Sequence, residues 1–462
     1  MRKMNRREFA AQLAMAGLGF GGAVMGQERG ERPRVAGGVE VLNPRCRVPV
    51  GIIIDDSTCL VNLNRFAMPQ FDEAWGGTNP VYHRDWKSWP VEIPDSFVRK
   101  FAEWSLSAGV KGKYSIVPYP ACVGRLDRVL PGWGRRELDD SIRLVRELIT
   151  PNWDIHPEMV THTRVIDVRT GHPYPDSGKA FMENWDWTTG RGREELGEYL
   201  AYALRILRNV DLPCEGVTTP GGFGSQARPA LAGAVLDSVR EVYGAEVPHY
   251  FRDLYDAGGV SVAPRVELAA GLDGDSPRCV VSIVGCTGDW TGGWDCTEPE
   301  GVDRFISADL GSGRLVEVIG RGEPAMMVCH WTGVYWNGEE LGLKVFQEVE
   351  RRLRARFADE IVWMKTGELA RYWAARQLTG VSAGSAEVGL MAPFACRDFT
   401  LSLPVGGGGG FWLDSGGGQI RLREVGFRQH LVAGTWWSGE EEGRAVVCVD
   451  LQRGVNRIRA GV

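Results

Sequence analysis

The sequence predicts an α/β fold: a distorted (β/α) barrel of seven or eight strands, followed by a small antiparallel β domain. Three observations lead there. Between residues 46 and 378, short β-branched runs alternate with segments of helical period, the pattern of parallel strands covered by helices. There are enough of these units to favour closure over an open sheet. After Leu378 the helical period stops, and β-prone pieces such as Phe399-Thr400-Leu401-Ser402-Leu403 alternate with glycine clusters. With 462 residues, 44% of them apolar, the chain exceeds what one core usually holds, in keeping with one large domain and an appendage.

The units run in order. Val48-Pro49-Val50-Gly51-Ile52-Ile53-Ile54 reads as a strand ending in Asp55-Asp56, and Phe97, Phe101 and Trp104 mark a helix closed by Gly109. Lys113 to Pro118 is the next strand, and Leu138 to Leu148 carries a helical period. His156 to His162 is a strand candidate; Leu196 to Leu207 is a long amphipathic helix. Strands at Gly216–Pro220, Val280–Val284, Met326–His330 and Ile361–Met364 follow, with helices at Ala230–Tyr243, Gly338–Phe357 and Glu368–Arg376. Domain boundaries fall at 1–26, 27–45, 46–378 and 379–462.

The N-terminus sets the expected compartment. Arg2, Lys3, Arg6 and Arg7 precede an apolar stretch from Ala10 to Val24, and Asn5-Arg6-Arg7-Glu8-Phe9 has the form of a twin-arginine signal. Residues 1–26 are therefore expected to be a signal peptide read by the twin-arginine export machinery, with 27–45 a linker. The mature chain is expected to be periplasmic or extracellular. The stretch is too short and glycine-rich for a membrane anchor, which needs about 20 apolar residues, and no later segment is suited to spanning. Loss of 1–26 removes four basic groups and one acid, taking the formal charge from −6 to about −9. An acidic chain without a basic cluster argues against nucleic acid as a partner. None of the ten cysteines forms a C-x-x-C pair, and several sit in apolar runs, as small buried hydrophobes do; one or two disulfides fit an oxidising compartment.

Chemistry is expected at strand C-termini, where a parallel barrel displays its site. Asp55 and Asp56 follow the first strand, and adjacent carboxylates there call for a metal, a proton or a basic partner; a turn in which both accept backbone N–H groups is the structural alternative. His162 ends a strand-like run. His156, six residues earlier, would lie about 20 Å away if the run were extended, too far to share a metal. His330 ends the run Ala325–Cys329, and Asp289 stands where it could orient that ring. The 17 tryptophans are many for this length. Trp187, Trp290, Trp294, Trp331 and Trp336 fall after expected strands, where aromatic faces suit stacking on sugar rings.

Asp-Asp after a strand, then His-Thr, a Pro-containing segment, Asp-Trp and a strand-final His, in that order over residues 46–376, resemble the polysaccharide deacetylases of the glycoside hydrolase/deacetylase barrel superfamily. The resemblance implies Asp55 as general base, Asp56 and His162 as metal ligands, His330 as general acid and Asp289 as its orienting carboxylate. Two departures stand out. Ile166 occupies the place of the second metal histidine, for which Asp167 and His172 are the candidate substitutes, and Thr219-Pro220 replaces the family's Arg-Pro. The implied chemistry is metal-assisted removal of an acyl group from a poly- or oligosaccharide, with zinc the expected divalent metal, held by Asp56, His162 and His172. Two alternatives remain. One is a glycoside hydrolase pairing Asp55 with Asp289, Asp295 or Glu298. The other is a non-catalytic carbohydrate-binding protein with a tryptophan-lined groove.

Overall fold

The computed structural model describes residues 31–289, 293–297, 301–384, 387–404, 410–439 and 443–461. The segment expected to direct export lies outside them, as do Trp290 and Glu298. The fold is mixed α/β, with a parallel sheet system preceding antiparallel C-terminal sheets.

The parallel part begins with β1 (Val48–Asp55), β2 (Gly112–Ile116) and β3 (Trp153–Pro157). It continues with β4 (Gly216–Thr218), β5 (His249–Leu254), β6 (Arg265–Ala270), β7 (Arg278–Gly285), β8 (Ala325–His330) and β9 (Ile361–Trp363). One sheet runs β8-β1-β2-β3, with β9 parallel to the start of β1; the other runs β4-β5-β7-β6, where only β6 is antiparallel. Single parallel bridges join the two sheets at both margins, Glu158 to Thr218 beyond β3 and Asp289 to Val328 beyond β7. The second junction also has Cys286 N donating to Met326 O at 2.7 Å and Val328 N donating to Thr287 Oγ1 at 2.9 Å.

Side chains paired across a sheet share a face, and alternate residues of a strand share it too. The register pairs Ile53 with Lys113, Lys113 with Asp154, Ser115 with His156 and Asp55 with His330. One face therefore carries Asp55, Lys113, Ser115, Asp154, His156 and His330. The opposite face carries Ile52, Ile54, Tyr114 and Ile155, buried against helices α1 (Asp95–Ala108), α2 (Arg135–Leu144) and the later helix Leu341–Phe357. β1 is thus apolar outward and polar at its inward tip.

The C-terminal sheets share one core. Phe399, Leu401, Val447 and Val449 from one meet Leu390, Leu413 and Ile458 from the other, under Tyr372 and Ala375 of the helix Thr366–Leu378. The segment expected as a linker is part of this unit: Glu40–Val41 pairs antiparallel with Ser402 and Leu401, burying Val39 and Val41. An alternation too short to read as a strand gained its partner from the far end of the chain. All ten cysteines are free thiols. Among the described residues no helix is long and apolar enough to cross a membrane.

Trp331, expected at a sugar-binding surface, is fully buried between Phe97, Phe101 and Tyr114, with ring centroids 5.0–5.2 Å apart. It opens a short helix, Trp331–Tyr335, that turns the ring away from the strand tip and into the layer beneath α1. Trp331→Ala should lower unfolding free energy by about 3–5 kcal/mol, the usual cost of emptying an aromatic core site. Chemical denaturation followed by circular dichroism checks this; a loss below about 0.5 kcal/mol, typical of a surface residue, would contradict the core assignment.

Candidate active site

At the C-terminal tips of β1 and β3 the backbone leaves extended geometry abruptly. Asp56 has φ of 62° and His162 φ of 64°, left-handed conformations uncommon for non-glycine residues. Each is held from outside. Glu158 Oε2 accepts the Asp56 N–H at 2.7 Å. The buried Glu183 accepts the N–H groups of Val160, Thr161 and His162, at 2.6 Å for His162, and the Tyr199 hydroxyl as well. Burial raises the Glu183 carboxyl to about 7 against these donors.

The two turns bring three donors together. His162 Nε2 lies 2.7 Å from Asp56 Oδ1 and 3.4 Å from Glu158 Oε1, and all three residues are buried. The three donor atoms fall within 4.8 Å of one another. Burial opposes a charge on His162, but Asp56 and then Glu158 overcome it and hold the ring well above its ordinary value. Burial likewise works against the Asp56 carboxylate, and His162 and His330 hold it below the ordinary carboxylate range. Asp56 Oδ1 and His162 Nδ1 are buried without a well-aligned hydrogen bond. Two carboxylates and an imidazole converging in this way could hold a divalent metal ion.

Beside this group sit further buried titratable residues. The fully buried Lys113 ion-pairs with Asp55, and its Nζ donates to Ile54 O at 3.0 Å and Ser115 Oγ at 2.6 Å. Burial raises Asp55 to about 6, with Lys113 working the other way. His330, next to Asp55 across β8, places Nδ1 2.8 Å from Asp289 Oδ2. Burial disfavours its charge, but Asp289, Asp56 and Asp55 outweigh that and raise it to about 10.

Of the residues expected from sequence, Asp55, Asp56, His162, His330 and Asp289 meet in this region. His172 does not. It is exposed in a two-strand hairpin, where it pairs with Asp167, whose carboxylate is taken by Arg169. The third donor is instead Glu158, four residues before His162. Four residues downstream of His162 stands Ile166; the same spacing upstream carries the carboxylate, because the chain turns back immediately after β3. Lys113 was also overlooked, although a lysine in an otherwise apolar strand, facing the same side as Ser115, was a visible signal.

The tryptophans are largely corrected. Trp187 is buried against Tyr199 and Phe223, with Arg191 stacked on it at 4.3 Å, and Trp336 is buried as well. Trp294 alone of the described four stands at the site, in a half-buried aromatic wall. Phe71, of the helix Leu63–Ala74, is 6.2 Å from His162, 6.4 Å from Trp294 and 5.3 Å from Trp185; Tyr82 is 5.8 Å from Trp294. Asp295 is tied to Arg84 at 2.9 Å, which removes it as a free partner for Asp55.

No family model and no curated protein matches this chain. Among solved structures it is similar to a probable polysaccharide deacetylase from Pseudomonas aeruginosa PAO1, with 10% identity over 72% of this chain and 91% of that one and a TM-score of 0.38. An alpha-L-fucosidase matches at 12% identity, 91% and 98% coverage and a TM-score of 0.31. The Thermotoga maritima alpha-fucosidase in complex with fucose matches at 12% identity, 90% and 97% coverage and 0.27. At these scores the likenesses add nothing to the geometry.

The His330–Asp289 pair has a measurable signature. Because the folded value of about 10 lies above the unfolded value of about 6.5, the pair stabilises the fold fully below pH 6.5 and less as pH rises through about 10. Asp289→Asn removes the leading favourable charge, so the His330 ring should titrate closer to neutrality. NMR of the imidazole resonances, seven in the chain, reads this directly; an unmoved midpoint would show that Asp289 does not control the ring.

Proposed function

We propose that this chain is a metal-dependent hydrolase that removes acyl groups from a poly- or oligosaccharide, working on a distorted barrel closed by the two bridges between its parallel sheets. The observation that carries the reading is the buried convergence of Asp56, Glu158 and His162 beside two titratable groups, Asp55 and His330, both raised above their ordinary values. A divalent cation held by the three donors, zinc being the expected one, would supply Lewis-acid polarisation of the acyl carbonyl and of the attacking water. Asp55, ionised above about pH 6 and fixed by Lys113, accepts the proton of that water. His330, protonated and oriented by Asp289, donates a proton to the departing sugar oxygen or nitrogen. The products are a carboxylate and the free hydroxyl or amine. Trp294, Trp185 and Tyr82 offer apolar faces to a sugar ring at the same opening.

The N-terminal arginine pair supports export through the twin-arginine route, and ten reduced thiols suit a protein folded before export. Against the glycoside hydrolase alternative, Asp289 is engaged with His330 and Asp295 with Arg84.

Two predictions test the hydrolase reading. Asp56→Ala, Glu158→Ala and His162→Ala should each lose one equivalent of metal relative to wild type, together with acetate release from acetylated oligosaccharides, whereas His172→Ala should lose neither. Metal analysis beside an acetate assay decides it, and full metal retention in all three would refute the ligand set. The rate should rise as Asp55 ionises through about 6 and fall as His330 deprotonates near about 10; both limbs move lower with a dication bound nearby. Asp55→Asn should remove the acid limb and lower kcat by about 10²–10⁴. A pH–rate profile of this variant that keeps the acid limb would exclude Asp55 as the base.

A further inference from the structure

A second cluster lies at the other end of the same strands. Asp154 near the start of β3, His156 two residues on, and His249 at the start of β5 bring three donor atoms within 4.8 Å of one another. Both histidines are fully buried, and their Nε2 atoms face each other at 2.9 Å. His249 Nδ1 faces Val247 O at 3.5 Å, and a carbonyl only accepts, so that ring carries its proton on Nδ1 and turns a lone pair inward through Nε2. His156 Nδ1 lies 3.4 Å from Thr218 Oγ1, a hydroxyl able to donate or accept.

This arrangement has two self-consistent states. In one, Thr218 donates to His156 Nδ1 and His156 Nε2–H donates to His249. In the other, His156 donates from Nδ1 to Thr218, and both Nε2 lone pairs point at a shared cation, each ring oriented by the bond its other nitrogen makes. The surroundings favour the second. Asp154 Oδ2 accepts the Gly367 N–H at 2.5 Å and the Thr366 hydroxyl at 3.0 Å, which fixes the carboxylate and leaves Oδ1 available. Glu215, near His249, adds negative charge; Lys365, Lys113 and Arg371 oppose it, but Lys113 is already neutralised by Asp55 and Arg371 by Glu246. Gly216 lets the backbone pass both rings: a Cβ there would fall 2.5 Å from His156 Nε2 and 2.7 Å from His249 Nε2.

We propose that Asp154, His156 and His249 form a second divalent-cation site, separate from the candidate active site and of structural rather than catalytic use. Two imidazoles and one carboxylate select zinc or a similar borderline ion over magnesium or calcium. Metal–nitrogen bonds of about 2.0–2.1 Å to nitrogens at this spacing subtend an angle near 90°, and a small opening of the pair reaches the tetrahedral value. Bound there, the ion ties β3 to β5 across the Glu158–Thr218 junction, where backbone pairing is a single bridge.

The experiment uses the full chain carrying Asp56→Ala and His162→Ala, which removes the other candidate site and makes the two readings separable. Stripped and then equilibrated with zinc alone, this variant should retain about one equivalent, and its unfolding midpoint should rise with zinc concentration. Adding His249→Gln or Asp154→Asn should weaken zinc binding at least tenfold and abolish the rise. In the unmutated cluster, zinc should also move the ring ¹⁵N resonances of His156 and His249, a readout independent of whether the further variants fold. No retained zinc and no resonance shift, or binding that survives both added substitutions, would overturn the site.

Discussion

A lysine with no accessible surface sits on the inward face of the parallel strands, and the neighbouring polar groups are arranged around its charge. An unpaired buried ammonium is costly, and losing one partner of a buried pair costs about 3–5 kcal/mol. Lys113 therefore needs Asp55, and Asp55, at the tip of an apolar strand, needs Lys113 to remain ionised near neutral pH. The pair fixes the direction of the Asp55 carboxylate and the end of β1. Asp56 then has to turn away from its neighbour, and its left-handed backbone does so.

Glu158 links the two strand tips. One carboxylate oxygen takes the Asp56 N–H, which supports that unusual turn, while the other faces His162. A single side chain thus positions one donor and serves as another. Glu183 has the matching task on the far side, gathering three successive N–H groups so that His162 can occupy its own left-handed conformation. Strain of this kind persists only where the surroundings impose it, and here two buried carboxylates do. Neither carboxylate is satisfied by solvent, so disturbing either disturbs both turns.

Much of this was readable in the sequence, and the rest fails for physical reasons. Asp55-Asp56 and His330 were found because strand ends are visible as the last residues of β-branched runs, and Asp289 because it follows one; His162 was expected to end a strand over His156–His162, but that strand stops at Pro157 and the histidine reaches the site from the turn beyond it. Glu158 was missed because the strand stops at Pro157 and this carboxylate lies within the turn, where no periodicity operates. Trp331 and Trp187 were misplaced because an aromatic residue after a strand looks the same whether the next turn points it outward or folds it under a helix. Glu40–Val41 was read as linker because its partner strand stands more than 350 residues later, and pairing at that separation leaves no local trace.

The period-two alternation that placed Asp55 on the inward face also places Ser115, Lys113, Asp154 and His156 there, and the register aligns them into one polar column. Asp55 occupies its upper end, Asp154 its lower end, and Lys113 lies between Asp55 and His156. Such a column is unfavourable in an apolar interior unless its charges alternate in sign or bind ions. At the upper end alternation is achieved by Lys113 against Asp55 and by His162 against Asp56 and Glu158. At the lower end two uncharged imidazoles face one another beside a carboxylate, and the nearby cations are engaged elsewhere: Lys113 with Asp55, Arg371 with Glu246, and Lys365 with the Thr150 carbonyl. The same electrostatic requirement that explains the upper arrangement is therefore left open at the lower one, and a cation bound by Asp154, His156 and His249 would complete it.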